Sequence, residues 1–196
     1  MIDTGSPIPP ESAEELAERV LRNAGIKHGQ TVLDFGCGIG AYTIPAARIV
    51  GPDAVVYALD EDESKIHRLR TRAQAAGVQN IRVLPPVGRA VVKLSDRSAD
   101  VILLYDVLHS WYHPQPHQRE AILHELFRIL RADGCLSFYP GDPEVFGNRA
   151  ELEKILHEFS KVGFVLQQQN DERLVHEKKV VRGHVFRYEK SLEAHD

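Results

Sequence analysis

Short apolar runs alternate with amphipathic stretches along most of the chain. The apolar runs have the length and composition of buried strands and lie at 31–33, 55–59, 81–84, 101–104 and 136–139. Helices are predicted between and around them, at 12–24, 42–50, 64–76, 119–130 and 151–161. Strands that alternate with helices predict right-handed crossovers and a mostly parallel sheet covered on both faces.

The last two predicted strands, 164–168 and 179–188, follow each other without a helix. Parallel neighbours require a crossover of a dozen or more residues, so we expect these two strands to pair as an antiparallel hairpin at one sheet edge. Residues 87–98 predict a loop with a weakly patterned segment. The predicted fold class is therefore α/β, with three layers doubly wound around a mostly parallel sheet and an antiparallel C-terminal hairpin.

Composition narrows the class of protein. A chain of 196 residues fits one domain, which we expect to extend over 1–196 with a leader at 1–11. The net charge of -4 offers no basic surface to a phosphate backbone, so nucleic acid is not an expected partner. The apolar runs are far shorter than the roughly 20 residues that span a bilayer, and the N-terminus does not resemble a signal peptide. A cytoplasmic protein without a membrane partner is expected, and its two cysteines, Cys37 and Cys135, fit a reducing compartment.

A glycine-rich turn follows the first predicted strand. The segment reads VLDFGCGIGAY, in which Asp34, Gly36, Gly38 and Gly40 occupy alternate positions. Glycines let the backbone bend sharply and bring main-chain amides against a ligand. Because open α/β sheets bind ligands beyond the carboxyl ends of their strands, this turn is the expected binding site.

The glycines alone fit two classes of cofactor, because Gly36, Gly38 and Ala41 also satisfy the G-x-G-x-x-A pattern of dinucleotide-binding folds. Asp34 favours a ligand with an ammonium group over a pyrophosphate, which a carboxylate would repel at close range. At the end of the second strand, Asp60 can accept hydrogen bonds from both hydroxyls of a ribose, and Glu61 is the other candidate acceptor.

Two further segments complete the pattern. SADVILLYDVLH surrounds the strand at 101–104, and ELFRILRADGCL forms the helix, turn and strand after it. Together with the glycine turn and Asp60, they resemble class I S-adenosylmethionine-dependent methyltransferases over nearly the whole chain, in the subgroup related to quinone and small-molecule methylases. The resemblance implies a Rossmann-like enzyme that transfers a methyl group from S-adenosylmethionine to a small-molecule acceptor.

The resemblance also implies residue roles. Main-chain groups of Gly36 and Tyr105 would hold the methionine part of the cofactor, Asp60 would hold the ribose, and Cys37 would line the turn through its backbone while its thiol packs. Tyr42 would either orient the methionine end or pack.

The adenine end departs from the family pattern. Where the family often has an acid after the third strand to accept from the adenine amino group, this chain has Pro85 and Pro86. Only a backbone contact from Val87 is available there.

Histidines cluster after the fourth strand. His109, His113 and His117 are spaced as on one helical face, but Pro114 and Pro116 would break such a helix, so no metal site is predicted. A neutral oxygen or nitrogen acceptor would require a general base, for which His109 is the first candidate and His113 the second, whereas a thiolate or carbanion would require none. A structural role is the alternative for His109.

Two other functions remain open at this point. One is a Rossmann-type NAD(P)-dependent oxidoreductase, which Asp34, the lack of a separate substrate domain and the closing hairpin disfavour. The other is a cofactor-binding protein without catalysis. Because no cap is inserted after Leu136, we expect a cleft that is either open or covered by a second subunit, as in a homodimer.

Overall fold

A computed structural model describes residues 11–86, 90–108, 115–141, 149–176 and 179–191. Within this part, five helices and seven strands follow one another in an order close to the predicted one. They are α1 (Ala13–Asn23), β1 (Val32–Phe35), α2 (Thr43–Val50), β2 (Val56–Leu59), α3 (Glu63–Ala75), β3 (Ile81–Val83), β4 (Ala99–Tyr105), α4 (Pro116–Ile129), β5 (Leu130–Tyr139), α5 (Arg149–Val162), β6 (Phe164–His176) and β7 (Lys179–Lys190).

The strands form one sheet in the order β3-β2-β1-β4-β5-β7-β6. The first five strands of this order are parallel, and β7 is antiparallel to both β5 and β6. The expected C-terminal hairpin therefore closes one edge, and the predicted α/β class is confirmed. The chain reverses its direction of progress across the sheet between β1 and β4, which is where such folds bind ligands.

Successive side chains of β4 pack into two apolar layers, one on each face of the sheet. Val101 and Leu103 of β4 pack with α1 and α2 on one face of the sheet. Ile102 and Leu104 pack with α4 and α5 on the other face. A central strand that is buried on both faces must be apolar throughout, which explains the unbroken run at 101–104.

Some element boundaries differ from the prediction. β6 continues to His176 instead of ending at residue 168, because β7 pairs with it as far as His176↔Lys179. β6 is the edge strand, and its exposed polar face hides the alternation that marks a strand in sequence. In the weakly patterned segment, 90–98 contains no strand and 87–89 lies outside the described residues.

The start of α4 lies before the predicted residue 119. Pro116 is the first residue of the helix, where proline lacks an amide that the helix would not use, and Gln115 before it is extended, so no helix runs through Pro116 from the preceding residue, as expected. His117 therefore lies in the first turn of α4 and is exposed. None of the described helices is long and apolar enough to cross a membrane.

Candidate functional site

The glycine turn is anchored to the end of β2. The amides of Gly36 and Cys37 donate to the carbonyl of Leu59 at 2.8 and 3.0 Å. Gly36, Gly38 and Gly40 have φ angles of +82°, +53° and +83°, a region that other residues rarely adopt. The turn thus lies at the carboxyl ends of β1 and β2, as the sequence predicted.

The three glycines are required for different reasons. A Cβ at Gly36 would lie 2.2 Å from Cγ2 of Val107, and one at Gly40 would lie 2.3 Å from Cδ1 of Leu69. Those two positions are filled by the protein itself. At Gly38, no atom of the residues that the structure describes lies within 4 Å of an added Cβ, apart from the neighbouring residues of the chain. The outer side of the turn therefore opens into space in which a ligand can contact main-chain groups directly.

The carboxylate of Asp60 borders this open space. Its Oδ2 accepts from the amide of Gly38 at 2.8 Å, and its Oδ1 accepts from the amide of Asp62 at 2.9 Å. Each oxygen retains a lone pair for a further donor. Glu61, the other predicted acceptor, is exposed. Asp60 is therefore the acid that the structure brings to the turn.

Asp34 lies behind the turn and is only 3% exposed. Its Oδ2 accepts from the hydroxyl of Thr43, the first residue of α2, at 2.6 Å. The pKa of Asp34 is raised to about 7, mainly because burial disfavours the carboxylate; the bond from Thr43 partly offsets this effect, and the nearby charge of Asp60 adds a smaller rise. A cation next to this carboxyl would favour its ionised form.

The thiol of Cys37 is packed rather than reactive. It is buried against Ile44 and Leu69 in a small cluster between α2 and α3. Burial raises the pKa of the Cys37 thiol, and the negative charges of Asp34 and Asp60 raise it further. Thiolate chemistry is therefore disfavoured here, which agrees with the predicted packing role of the side chain.

Three buried tyrosines pack against one another next to the glycine turn. Tyr105 ends β4, and its hydroxyl shares a hydrogen bond of 2.8 Å with the hydroxyl of Ser137. The ring of Tyr105 meets Tyr42 and Tyr139 edge to face, with centroids 4.8 and 6.2 Å apart. The hydroxyl of Tyr42 donates to the carbonyl of Val175 at 3.0 Å and accepts from the amide of Val175 at 2.9 Å. Tyr42 thus holds the end of β6, and the sequence alternative of packing describes its side chain.

Asp106 and His176 lie close together beside Tyr139, the last of these tyrosines. Oδ2 of Asp106 lies 3.5 Å from Nδ1 of His176. Asp106 belongs to the SADVILLYDVLH segment, and the sequence did not predict His176 as a site residue. The two are distant in the chain, and His176 lies beyond the predicted end of β6, so no sequence signal connected them.

Several predicted candidates fall outside the described residues, namely His109, His113 and Val87. Their predicted roles therefore remain predictions. Within the described ranges, no three His, Cys, Asp or Glu side chains are grouped closely enough to hold a metal ion.

Comparison with known proteins identifies the family of the chain. The family model described as a methyltransferase domain matches residues 32–134, more than half of the chain. The chain is similar to a probable cobalt-precorrin-6B C(15)-methyltransferase (decarboxylating) of Saccharolobus solfataricus, with 40% identity over 75 residues that are 38% of each protein. It is also similar to the demethylmenaquinone methyltransferase of Geobacillus stearothermophilus, with 28% identity over 134 residues, or 66% of this chain and 53% of that enzyme. The matches thus span about half or less of these curated relatives.

A solved structure shares the fold over nearly the whole length. A SAM-dependent methyltransferase from Aquifex aeolicus superposes with a TM-score of 0.70 and 24% sequence identity, and the match covers 91% of both chains. The two proteins therefore have the same order of layers around the same kind of sheet. Taken with the match over 32–134, this shows that the chain belongs to the methyltransferase domain family and has the fold of S-adenosylmethionine-dependent methyltransferases.

Proposed function

We propose that the protein is an S-adenosylmethionine-dependent methyltransferase that acts on a small-molecule acceptor. The observation that carries the proposal is the open outer side of the glycine turn at Gly38, bordered by the carboxylate of Asp60. That space fits a ligand that lies against main-chain amides and presents ribose hydroxyls to an acid. Membership of the methyltransferase domain family favours this ligand over a nicotinamide dinucleotide.

The proposed cofactor site uses both ends of this turn. Main-chain groups of Gly36, Cys37, Gly38 and Tyr105 would hold the methionine part, and the carboxyl of Asp34 would attract its ammonium group. Asp60, which touches the turn, would accept the ribose hydroxyls, with Glu61 at the exposed margin.

The chain contributes binding, orientation and exclusion of water. Bound S-adenosylmethionine would supply an electrophilic methyl group on a positively charged sulfur. The rings of Tyr42, Tyr105 and Tyr139 are buried and would keep water from one side of the bound cofactor, and the protein would align the acceptor with the methyl group. No covalent bond to the protein is needed for the transfer.

The proposed cellular location, partners and oligomeric state of the enzyme rest on its charge, its cysteines and its open cofactor site. We propose one cytoplasmic domain that acts without a nucleic-acid or membrane partner, in keeping with a net charge of -4 and two buried free cysteines. A homodimer would cover the acceptor side of the cleft. Light scattering of the purified chain tests this arrangement, and a monomer would contradict it.

Calorimetric titration with S-adenosylhomocysteine and with NAD tests the cofactor assignment. We expect S-adenosylhomocysteine to bind and NAD not to bind. Binding of NAD alone would overturn the proposed function in favour of an oxidoreductase. Binding of neither compound would contradict the cofactor site itself.

Replacing Asp60 by alanine is expected to weaken S-adenosylhomocysteine binding by about 1 to 3 kcal/mol, because charge-assisted hydrogen bonds to the ribose would be lost. The measurement is the dissociation constant by calorimetry. Glu61→Ala tests the other candidate acceptor, and a larger loss in that variant would assign the ribose contact to Glu61 instead. Asp53→Ala is the control, since it removes an exposed carboxylate before β2, and an equal loss there would show that the effect is general electrostatics.

Cofactor binding is expected to depend on pH through Asp34. The unliganded protein has a pKa of about 7 for Asp34, and a bound ammonium group would lower it by favouring the carboxylate. Binding below pH 7 must therefore release a proton, so affinity for S-adenosylhomocysteine should rise with pH by up to about tenfold per unit and level off above neutrality.

Asp34→Asn provides the control for this pH dependence. The amide oxygen of asparagine can still accept from Thr43 but does not titrate. We expect the affinity of this variant to be lower and nearly constant over the same pH range. The same slope in wild type and Asp34→Asn would assign the titration to another group.

A further inference from the structure

We propose that His176 accepts the proton of the methyl acceptor and that Asp106 is the residue that positions His176. The inference rests on the proposed function and adds the acceptor class, which is a neutral O–H or N–H nucleophile. It starts from the distance of 3.5 Å between Nδ1 of His176 and Oδ2 of Asp106. Within the described ranges, no other histidine forms an ion-pair contact with a carboxylate.

Asp106 is fixed at the level of the glycine turn. In the parallel pairing of β1 with β4, Asp34 lies opposite Leu103. Asp106 directly follows the end of β4 and therefore lies at the same edge of the sheet as the glycine turn. Val107, the next residue, fills the space against Gly36. The backbone of Asp106 has a φ of +58°, which aspartate tolerates better than most residues, and its amide donates to the carbonyl of Tyr139 at 2.8 Å. Such a constrained backbone at a strand end fixes the direction of the carboxylate.

His176 is fixed at the end of β6. The hydroxyl of Tyr42 forms hydrogen bonds with both the amide and the carbonyl of the neighbouring residue, Val175. Tyr42 itself directly precedes α2, the helix after the glycine turn. The imidazole meets the ring of Tyr139 edge to face with centroids 6.3 Å apart. The side chain of His176 is still 16% exposed, so it is held in place and remains accessible to solvent.

This arrangement suits a general base. With Nδ1 lying 3.5 Å from a carboxylate, the neutral imidazole is expected to carry its proton on Nδ1, which leaves Nε2 as the acceptor. For an O–H acceptor, the proton passes to Nε2, an oxygen electron pair forms the bond to the methyl carbon, and the sulfur keeps the pair of the bond that breaks. For an N–H acceptor, the nitrogen lone pair forms the bond to the methyl carbon, and Nε2 then takes the proton from the resulting ammonium. Asp106 then stabilises the imidazolium, as an acid does for other catalytic histidines.

Methyl transfer to three defined acceptors tests the inference. The probes are catechol for O–H, aniline for N–H and thiophenol, which ionises near neutral pH and requires no base. We expect His176→Gln to lower the turnover of catechol by about 100-fold or more and that of aniline, which attacks through its lone pair, by less, with affinity for S-adenosylhomocysteine and transfer to thiophenol preserved. His184→Gln is the matched control, because His184 is an exposed histidine on the adjacent strand β7.

The outcomes separate this inference from the proposed function. If His176→Gln methylates catechol and aniline as fast as His184→Gln, His176 is not the base. If the wild-type protein methylates thiophenol alone, or none of the three while binding S-adenosylhomocysteine, the inferred acceptor class is overturned and the cofactor site is not. If S-adenosylhomocysteine fails to bind wild-type protein, the proposed function fails first and the inference falls with it.

A spectroscopic measurement needs no acceptor. Nitrogen NMR of histidine-labelled protein, assigned by the signal lost in His176→Gln, reports which ring nitrogen carries the proton. We expect Nδ1–H in wild type and a shift toward Nε2–H in Asp106→Asn, because a carboxamide is a weaker acceptor than a carboxylate. A proton on Nε2 in wild type would overturn the inference, and an unchanged tautomer in Asp106→Asn would remove the positioning role of Asp106.

Discussion

Replacing Gly38 by leucine is expected to abolish binding of S-adenosylhomocysteine, with a loss of roughly 1000-fold or more, or about 4 kcal/mol. The added side chain would point into the open space outside the turn, where no atom from another part of the described chain lies within 4 Å of the new Cβ. It would therefore occupy the volume that the cofactor requires without first colliding with the protein. Calorimetry measures the loss.

Gly77→Leu is the control for the backbone cost of this substitution. Gly77 has a φ of +68°, close to the +53° of Gly38, and it also has open space around an added Cβ. Both variants should lose about 1 to 2 kcal/mol of folding free energy from a left-handed conformation at a residue with a side chain. Only Gly38→Leu should lose the ligand. Equal affinity in the two variants would show that the space outside Gly38 is not the cofactor site.

The layout of the fold was predictable because burial leaves a direct trace in sequence. β4 is covered on both faces, so its successive residues had to be apolar. The helices on either side pack one face on the sheet, so each had to carry apolar residues on that face and polar residues on the other. β6 was predicted too short for the same reason. Its outer face meets solvent, and its length is set by pairing with β7, which local composition does not encode.

The candidate site was predictable where it is contiguous in the chain. Asp34 and the glycines occur in one turn, and Asp60 follows from the topology of a parallel sheet, which places strand ends together. The structure changes the explanation for Gly36 and Gly40. Their missing side chains make room for Val107 and Leu69, and Gly38 alone opens to the outside.

Pairs of distant polar side chains were not predictable. Asp106 and His176 come from different parts of the sheet, and Arg119 and Glu158 come from different helices. A charged residue in a predicted helix is expected on the solvent face. Only the packing of α4 against α5 shows that Arg119 and Glu158 are buried at 3% and 5% exposure.

Removing one member of this buried pair is expected to have the second large effect. The Nε and Nη2 atoms of Arg119 donate to the two oxygens of Glu158 at 2.8 and 2.6 Å. Replacing Arg119 by methionine keeps an unbranched chain in the space but leaves the carboxylate of Glu158 buried without its main donor. The free energy of unfolding should fall by about 3 to 5 kcal/mol, as measured by urea denaturation.

Two companion variants identify the cause of that loss. Arg149→Met removes an arginine that pairs with Glu153 on the surface of α5, where both side chains are largely exposed, and it should cost less than about 1 kcal/mol. Combining Arg119→Met with Glu158→Leu removes both charges and should restore most of the lost stability, because much of the cost lies in the unpaired carboxylate rather than in the missing bond. If the double variant were no more stable than Arg119→Met alone, the packing of the arginine stem between α4 and α5 would be the stabilising contribution.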